Sequence, residues 1–560
     1  MASSTKPIVV EEVTTFRRSQ VPLEVCILLE IPQRRKTTDV AFLVLFGISV
    51  VVLLSLMIYA LCNSNMDRFI HGYDKCGNLC GSKNEKVDGI SCSGQDMTNK
   101  PLLLYERTLV YDSYYDRNEY VYKPDRCVDK CNNSYVIEFH RCFPGENGEI
   151  EFFPDKVNSI QDESGSLTGI CFIGLGLSIV ALLVFRYFVK QLVWGMIIGI
   201  ILLWFTITGF IWYDYSDSGD EGSLYVAITF TIIGIIALFC IWSLIDRIKL
   251  IIFFFEEAAR SVFAMPLLLL EPFLTFVINF LLMVIFLYTF VLMASSGTLQ
   301  RDEVNDRYVY MPNGAMTFVL WWNLFMMIWT LLFNLACQQM VISGAVSTYY
   351  FTRDKALVVS PIYNSFYNLI RYHLGTVAFG SLIITIITIL KSITRALATQ
   401  NRCMRLLYYY CLKPLEDLLK YVTSMGYIET AIHGQPLCRS SFRAIDLIIS
   451  NFLSAIVMNA IGNFVFFMLK LVVVVATVVI GIVMNLSVIN IILGGLVAWL
   501  CVHCFFVVFE IAVDTIFLCY CEDQCINDGT ENNAYYATLE LHNQIRKAQS
   551  FTLAKEKKSN

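Results

Sequence analysis

Long apolar stretches alternate with shorter polar segments along this chain of 560 residues. An α-helix rises about 1.5 Å per residue, so about 20 apolar residues cross the roughly 30 Å hydrocarbon layer of a bilayer. Nine stretches are long enough, at about 40–62, 169–189, 192–213, 224–245, 272–295, 317–341, 373–393, 463–483 and 493–521. The pattern therefore predicts an all-α polytopic membrane protein.

The basic residues at the two ends predict an even number of spans. Arg34, Arg35 and Lys36 precede the first span, and lysines recur in the tail after the last one, so both ends are expected in the cytoplasm. A tenth span is then needed, and the best candidate is 403–432. Its polar residues, which would have to be buried against neighbouring helices, are Lys413, Glu416, Asp417 and Lys420.

The chain accordingly divides into five predicted regions. These are a cytoplasmic tail at 1–37, a first transmembrane helix at 38–62, an extracellular domain at 63–167, a transmembrane bundle at 168–521 and a cytoplasmic tail at 522–560.

Two segments within the bundle, near 246–264 and 439–456, are predicted to be amphipathic helices on the inner membrane surface. In the first, Lys249, Glu256 and Arg260 lie on one helical face and apolar residues lie opposite. A core helix is the alternative interpretation of this first segment.

The predicted extracellular domain carries six cysteines, Cys76, Cys80, Cys92, Cys127, Cys131 and Cys142. Exported domains of this size gain stability from cross-links, so we expect disulfides, although spacing leaves the pairing open. A zinc site is the alternative interpretation of Cys76 and Cys80. Asn132 begins an Asn-Asn-Ser sequon and is a predicted glycosylation site.

Composition narrows the function classes further. Charged residues make up 16% of the chain, below the roughly 25% of soluble proteins. The net charge of −5 and the lack of a basic, aromatic-interleaved patch give no sign of nucleic-acid binding. Nucleophile-elbow, phosphate-loop and HExxH patterns are missing from the sequence, so we expect no enzyme activity, no catalytic or metal-binding residues and no cofactor.

The last apolar run contains three ionisable residues, His503, Glu510 and Asp514. At about 100° per residue they fall within roughly 40° of one another on one helical face. Ionisable groups at membrane depth are costly unless they face a protein interior or a wet cavity, so the pattern indicates a polar path through the bundle. Alternatively, Asp514 lies at the cytoplasmic interface and His503 is a satisfied interior histidine.

Four segments carry a resemblance to a known family. They are 336–340 (ACQQM), 348–355 (TYYFTRDK), 370–381 (IRYHLGTVAFGS) and 527–529 (NDG). Together with the order of tail, span, ectodomain and bundle, they resemble the choline transporter-like family. The resemblance covers nearly the whole chain from the first span onward and is weakest in the ectodomain.

The resemblance implies a plasma-membrane or organellar carrier, including mitochondrial membranes, for choline and related small cations such as ethanolamine. It also implies ten spans, independence from sodium, and transport by alternating access with proton exchange. His503, Glu510 and Asp514 match the family's His, Glu and Asp in the final helix.

Choline is a permanent cation covered by methyl groups, so its site should offer aromatic faces and a counter-charge. The substrate-binding candidates are Trp321, Trp322, Trp329, Trp204, Tyr187, Phe506 and Glu510. Trp322 and Trp329 are seven residues apart and share a helical face. Glu510, His503 and Asp514 are the candidates for proton coupling. A cation channel and a receptor or adhesion protein that uses the ectodomain remain alternatives, and the sequence gives no oligomeric state.

Overall fold

The computed structural model describes residues 35–112, 117–132, 135–144, 164–219, 221–302, 307–355, 358–399, 401–527 and 535–536. Most of the two predicted cytoplasmic tails lies outside the described residues, as do the second and third residues of the sequon and residues 145–163 of the predicted ectodomain.

Long helices dominate the described chain. They are α1 (Val40–Asn63), the short α2 (Asp67–Ile70), α3 (Ser164–Ser218), α4 (Glu221–Ala264), α5 (Glu271–Ala294), α6 (Gly314–Phe351), α7 (Pro361–Asn368), α8 (Leu374–Leu397), α9 (Arg402–Leu407), α10 (Lys413–His433), α11 (Leu437–Ser450), α12 (Phe452–Val483) and α13 (Val488–Ile526). A 3₁₀ turn at Pro266–Leu270 and π-helical turns at Leu369–His373 and Tyr408–Leu412 join consecutive helices.

Eight helices among the described residues are long and apolar enough to cross a membrane. They account for every predicted span except 403–432, which confirms a mostly helical, polytopic membrane protein. One of them covers two predicted spans, because α3 continues through a bend at Phe188, where the backbone leaves helical geometry (φ −125°, ψ 22°). The predicted spans 169–189 and 192–213 meet at this bend.

The predicted tenth span is helical as well, because α9, a π-helical turn and α10 together cover Arg402–His433. Its burial differs from the prediction, since of the four polar residues only Glu416 is buried. Glu416 pairs with Lys391 of α8 and, at 2.8 Å, with Lys420. All four groups were expected to be buried, but only one carboxylate is, and two lysines share it. That 403–432 crosses the bilayer stays a prediction.

The apolar face of the segment 246–264 packs in the protein core. The prediction that this face lies on the membrane surface was therefore wrong, and the core helix is the correct interpretation. The segment continues α4 without a break, and Ile251, Ile252, Phe254 and Phe255 are buried in the main apolar core. Periodicity alone cannot distinguish a face that packs on protein from one that packs on lipid. The second segment forms α11 up to Ser450, with one side buried and Phe442 exposed on the other, while 452–456 belong to α12.

The chain divides into two compact units. The first comprises Met1–Leu43, Ile160–Phe276 and Phe333–Asn560, and the second comprises Val44–Ser159 and Val277–Leu332. In the first unit α13 packs on α3, where a Cβ placed on Gly174 would lie 2.9 Å from Ala498 Cβ. Small residues at such contacts let helix backbones approach closely, which favours association where lipid is as apolar as protein.

The second unit contains the predicted ectodomain. Strands β1 (Leu102–Asp112), β2 (Arg117–Val128), β3 (Tyr135–Glu138) and β4 (Arg141–Pro144) form one sheet in the order β2-β1-β4-β3. The β1–β2 and β3–β4 pairs are antiparallel, whereas β1 and β4 are parallel. A two-stranded ribbon, β5 (Thr298–Asp302) and β6 (Arg307–Met311), joins α5 to α6.

All six ectodomain cysteines form disulfides, as predicted. The pairs are Cys76–Cys92, Cys80–Cys127 and Cys131–Cys142. Cys80 and Cys127 lie in a small buried cluster with Met97 and Leu103. The zinc interpretation of Cys76 and Cys80 is thereby excluded. Glycosylation at Asn132 stays a prediction.

Candidate functional site

Phe506 lies in the main apolar core of the first unit, in a cluster of phenylalanine rings. Its side chain is 0% exposed, and its ring centroid lies 5.5 Å from that of Phe185 on α3, 5.9 Å from that of Phe466 on α12 and 5.9 Å from that of Phe509. Tilted and edge-to-face contacts of this kind stabilise aromatic packing. In this conformation Phe506 is fully buried among neighbouring rings.

Beside this cluster, α12 and α13 bring a lysine and a carboxylate together. Lys470 Nζ lies 2.5 Å from Glu510 Oε1, and the two side chains are 9% and 32% exposed. Glu510, the candidate counter-charge for choline, therefore has a cationic partner within the protein, and its role toward choline stays a prediction. Sequence reasoning missed Lys470, although a lysine inside an apolar stretch is itself a signal of function.

The other two ionisable residues of α13, His503 and Asp514, lie on either side of Glu510 along the helix. His503 is close enough to Lys470 and Glu510 to interact electrostatically with both. On the other side, Asp514 interacts with Glu510 and with Tyr421 of α10. We call His503, Glu510, Asp514 and Lys470 the polar chain. His503 is exposed, while Glu510 and Asp514 are half-buried. The polar chain therefore follows one side of α13 from an exposed position into the helix bundle.

The tryptophan candidates on α6 belong to the second unit and differ in their exposure and contacts. Trp329 is 1% exposed and packs edge-on against Phe46 of α1, with ring centroids 4.9 Å apart. Phe325 lies between Trp322 and Trp329, 5.8 Å and 5.6 Å from their rings, so the pair shares a helical side as predicted. Trp322 Nε1 is buried without a hydrogen-bond partner among the described residues.

Trp321, in contrast, is 61% exposed, so its ring suits contact with lipid rather than a closed cage.

Trp204 and Tyr187 also have separate surroundings. Trp204 Nε1 donates a hydrogen bond to the Phe230 carbonyl at 3.2 Å, and its ring stacks on Phe230 and covers Gly234. Trp204 therefore fastens α3 to α4. Tyr187 is exposed at the bend of α3, next to Arg186.

A second group of ionisable residues, absent from the sequence-based candidates, lies where α10, α11 and α13 meet. We call Glu429, His433, Arg443 and Glu522 the charge cluster. Arg443 donates two hydrogen bonds to Glu522, from Nε to Oε1 at 2.5 Å and from Nη2 to Oε2 at 2.7 Å. Arg443 Nε also lies 3.1 Å from Glu429 Oε1, and His433 Nε2 lies 3.3 Å from the same oxygen. All four residues are buried.

The electrostatics of the charge cluster are dominated by Arg443. Burial disfavours its charged form, but hydrogen bonds to Glu522 and the negative charges of Glu522 and Glu429 outweigh that effect and raise the pKa of the guanidinium. Arg443 is therefore a fixed positive charge. One guanidinium neutralises one carboxylate, so the other carboxylate needs a proton or a second positive partner.

Glu429, His433 and Glu522 also offer three ligand atoms within 4.8 Å of one another, which is compatible with a metal ion. Arg443 Nε contacts the same oxygens of Glu522 and Glu429, however. Its fixed charge would repel a divalent cation at that point. The arrangement therefore fits an ion-pair cluster with an exchangeable proton better than a metal centre.

The segment 35–39, just before α1, forms hydrogen bonds with the same region of the first unit. Arg35 Nη2 donates to the Ala431 carbonyl at 2.7 Å, next to the charge cluster. Asp39 Oδ2 accepts hydrogen bonds from Leu437 N at 3.0 Å and Thr376 Oγ1 at 2.8 Å. A Cβ on Gly375 would lie 2.4 Å from the Thr38 carbonyl, so glycine is required for this close approach.

Comparison with known proteins adds an independent finding. Residues 228–525 match the family model described as plasma-membrane choline transporter. Choline transporter-like protein 1 of Xenopus laevis is 28% identical over 90% of this chain and 92% of its own length. The Torpedo marmorata protein of the same name is 29% identical over 92% and 94%. Choline transporter-like protein 3 of Homo sapiens is 27% identical over 93% of both chains.

The matched region includes every member of the polar chain and of the charge cluster. It spans more than half of the 560 residues, and the chain therefore belongs to the plasma-membrane choline transporter family.

Proposed function

We propose that this protein is a multi-pass plasma-membrane transporter that carries choline, rather than an enzyme. The observation that carries the proposal is the family match at 228–525, which contains all the ionisable groups that the bundle holds along α13. Intramembrane ionisable groups mark substrate and ion pathways in transport proteins.

The chemistry of choline suits parts of the described structure. Its trimethylammonium group is recognised by aromatic faces, each contributing about 0.5–2 kcal/mol. Two aromatic groups are candidates for this role, the phenylalanine cluster around Phe506 and the pair Trp322 and Trp329. Tyr187, Trp204 and Trp321 are weaker candidates, because their rings pack elsewhere or are exposed.

The ion pair Lys470–Glu510 suggests how the positive charge of choline is balanced in the bundle. Without substrate, Lys470 neutralises Glu510. Choline would compete with the Lys470 ammonium for this carboxylate, and a proton on Glu510 would compete with both cations. Alternating access with proton exchange and without sodium is the mechanism that we propose for this competition, with His503 and Asp514 as the neighbouring proton sites.

The test is uptake of radiolabelled choline by proteoliposomes that contain the purified full-length chain. We expect saturable uptake that an outward-directed proton gradient stimulates and that persists when sodium is replaced. Trans-side unlabelled choline should accelerate exchange, whereas a channel would show neither saturation nor countertransport. Excess ethanolamine measures whether the site accepts a primary ammonium. Failure of reconstituted protein to take up choline above empty liposomes would contradict the proposal.

A further inference from the structure

The bend of α3 at Phe188 separates two cavities of opposite character. Gln191, just after the bend, lines both of them. Each cavity is formed by residues of the first unit only.

The polar cavity has a volume of about 590 Å³. Its lining includes three cationic residues, Arg186, Lys190 and Arg260, and one carboxylate, Glu256. Arg260 is also bound to Glu257 at 2.9 Å, and the Arg186 guanidinium lies 4.3 Å above the ring of Phe263. The hydroxyl-bearing rings of Tyr187 and Tyr349 complete a lining that favours an anion and disfavours a cation such as choline.

The apolar cavity is a groove of about 530 Å³ between the two limbs of α3 and α12. Its walls are mostly aliphatic, and they include Leu177, Val184, Met196, Val472 and Val473. Val472 of this wall is exposed, so the groove opens on the side of the helix bundle that would face lipid.

We propose that these two cavities form one binding site for an anionic phospholipid. The phosphate lies among Arg186, Lys190 and Arg260, and an acyl chain lies in the groove. A basic pocket beside transmembrane helices recognises lipid head groups, and the basic residues at the bend indicate the cytoplasmic leaflet. The shared lining at Gln191 is the feature that selects an amphiphile over a free anion. The proposal does not depend on the identity of the transported substrate.

The chain offers matched variants for each half of the site. Arg186→Gln with Lys190→Gln removes two exposed cations from the polar cavity. Gly195→Leu fills the groove, since a Cβ on Gly195 meets no atom within 4 Å. Arg371→Gln with Arg439→Gln removes two exposed cations elsewhere, and Gly199→Leu adds the same side chain to an equally open glycine that does not line the groove.

Native mass spectrometry of the purified full-length chain would measure binding of phosphatidylinositol 4-phosphate, with phosphatidylcholine and soluble inositol phosphate as comparison ligands. We expect preference for the anionic lipid, and binding about tenfold weaker in the double Gln variant at 186 and 190. Gly195→Leu should also weaken lipid binding, while both control variants bind as the unaltered chain does.

Equal binding of the anionic lipid and phosphatidylcholine would overturn the proposal. It would also be overturned if removal of the two cations had no effect. Loss of binding in the charge variant alone, with soluble inositol phosphate bound as tightly as the lipid, would identify a free-anion site and would likewise overturn it. Thermal unfolding of each variant in detergent verifies that a loss of binding is not a loss of folding.

Discussion

At the scale of single residues, Lys470 changes what the carboxylate of Glu510 can do. An unpaired ammonium or carboxylate inside a membrane-spanning bundle is costly, and the 2.5 Å contact removes much of that cost for both groups. The pair is one-third exposed on the Glu510 side, so water or another cation can reach it. Such a pair can hold the resting protein together and still be opened by a substrate.

Glu510→Gln should therefore affect stability as well as transport. The substitution leaves Lys470 without its partner, and we expect a loss of about 1–3 kcal/mol in the free energy of unfolding, less than for a fully buried pair. Lys470→Gln combined with Glu510→Gln removes both charges and should recover most of that loss. Thermal unfolding in detergent measures both effects. A single variant as stable as the unaltered chain would contradict the ion pair.

Transport by the same variants tests the role of Glu510 as counter-charge. Choline affinity should fall in both variants, and the dependence of uptake on external pH should flatten, because the carboxylate proposed to exchange the proton is gone. Glu510→Asp should retain part of each property. If the Glu510→Gln variant reaches the surface and transports with unchanged affinity and pH dependence, the coupling role moves to His503.

Trp322 and Trp321 are adjacent in sequence and provide a matched pair for the aromatic proposal. Trp322→Phe keeps a π face and loses no hydrogen bond made among the described residues, so it should retain more choline uptake than Trp322→Ala. Trp321→Ala, at an exposed position, should have little effect. Equal uptake by the Phe and Ala variants at 322 would remove this residue from the substrate site.

At the scale of elements, the charge cluster joins three helices through one arginine. Glu522 on α13 makes both hydrogen bonds to Arg443 on α11, whereas Glu429 on α10 is contacted at a single atom. We therefore expect Glu429 to hold the exchangeable proton, and an amide is a close mimic of a protonated acid.

Substitution of the two glutamates should then have unequal effects. Glu522→Gln leaves Arg443 largely uncompensated and should cost about 3–5 kcal/mol in the free energy of unfolding. Glu429→Gln should cost about 1 kcal/mol or less, because it replaces a neutral group. Thermal unfolding of the two variants in parallel gives the comparison. The reverse order of stabilities would show that Glu522 is the protonated member.

The ectodomain sheet depends on cross-links that close loops of different lengths. Cys80–Cys127 spans 47 residues and Cys131–Cys142 spans 11. A longer loop loses more chain entropy on cross-linking, so removing the first pair by Ala substitution should destabilise the ectodomain by about 1 kcal/mol more than removing the second. Protease digestion of intact cells at increasing temperature measures this difference. Equal melting of the two variants would indicate that strain or residual structure outweighs loop entropy.

At the scale of the whole molecule, the predicted topology places the three disulfides outside the cell. Protease added to intact cells should cut within 63–167, and Asn132→Gln should abolish a mobility shift produced by deglycosylation. Cys403→Ala serves as the control, because it alters an exposed residue outside this domain. A protected, unglycosylated ectodomain would require the orientation of the first span to be reversed.

The sequence by itself determined the spans, the disulfide-bearing ectodomain and the family, because apolar length, cysteine compartment and long motifs are local properties of the chain. The spacing of His503, Glu510 and Asp514 likewise predicted a shared helical side. These features need no knowledge of which helices are neighbours.

Only the tertiary structure decided which charges meet. Lys470 and Glu510 are 40 residues apart, and Arg443 and Glu522 are 79 apart, so no helical periodicity connects them. The same reason explains why the apolar face of 246–264 was assigned to the membrane surface, since its partners come from distant helices. Helix packing brings these groups together, and in a bilayer, where apolar burial gives little preference for protein over lipid, such polar pairs contribute to the association of particular helices.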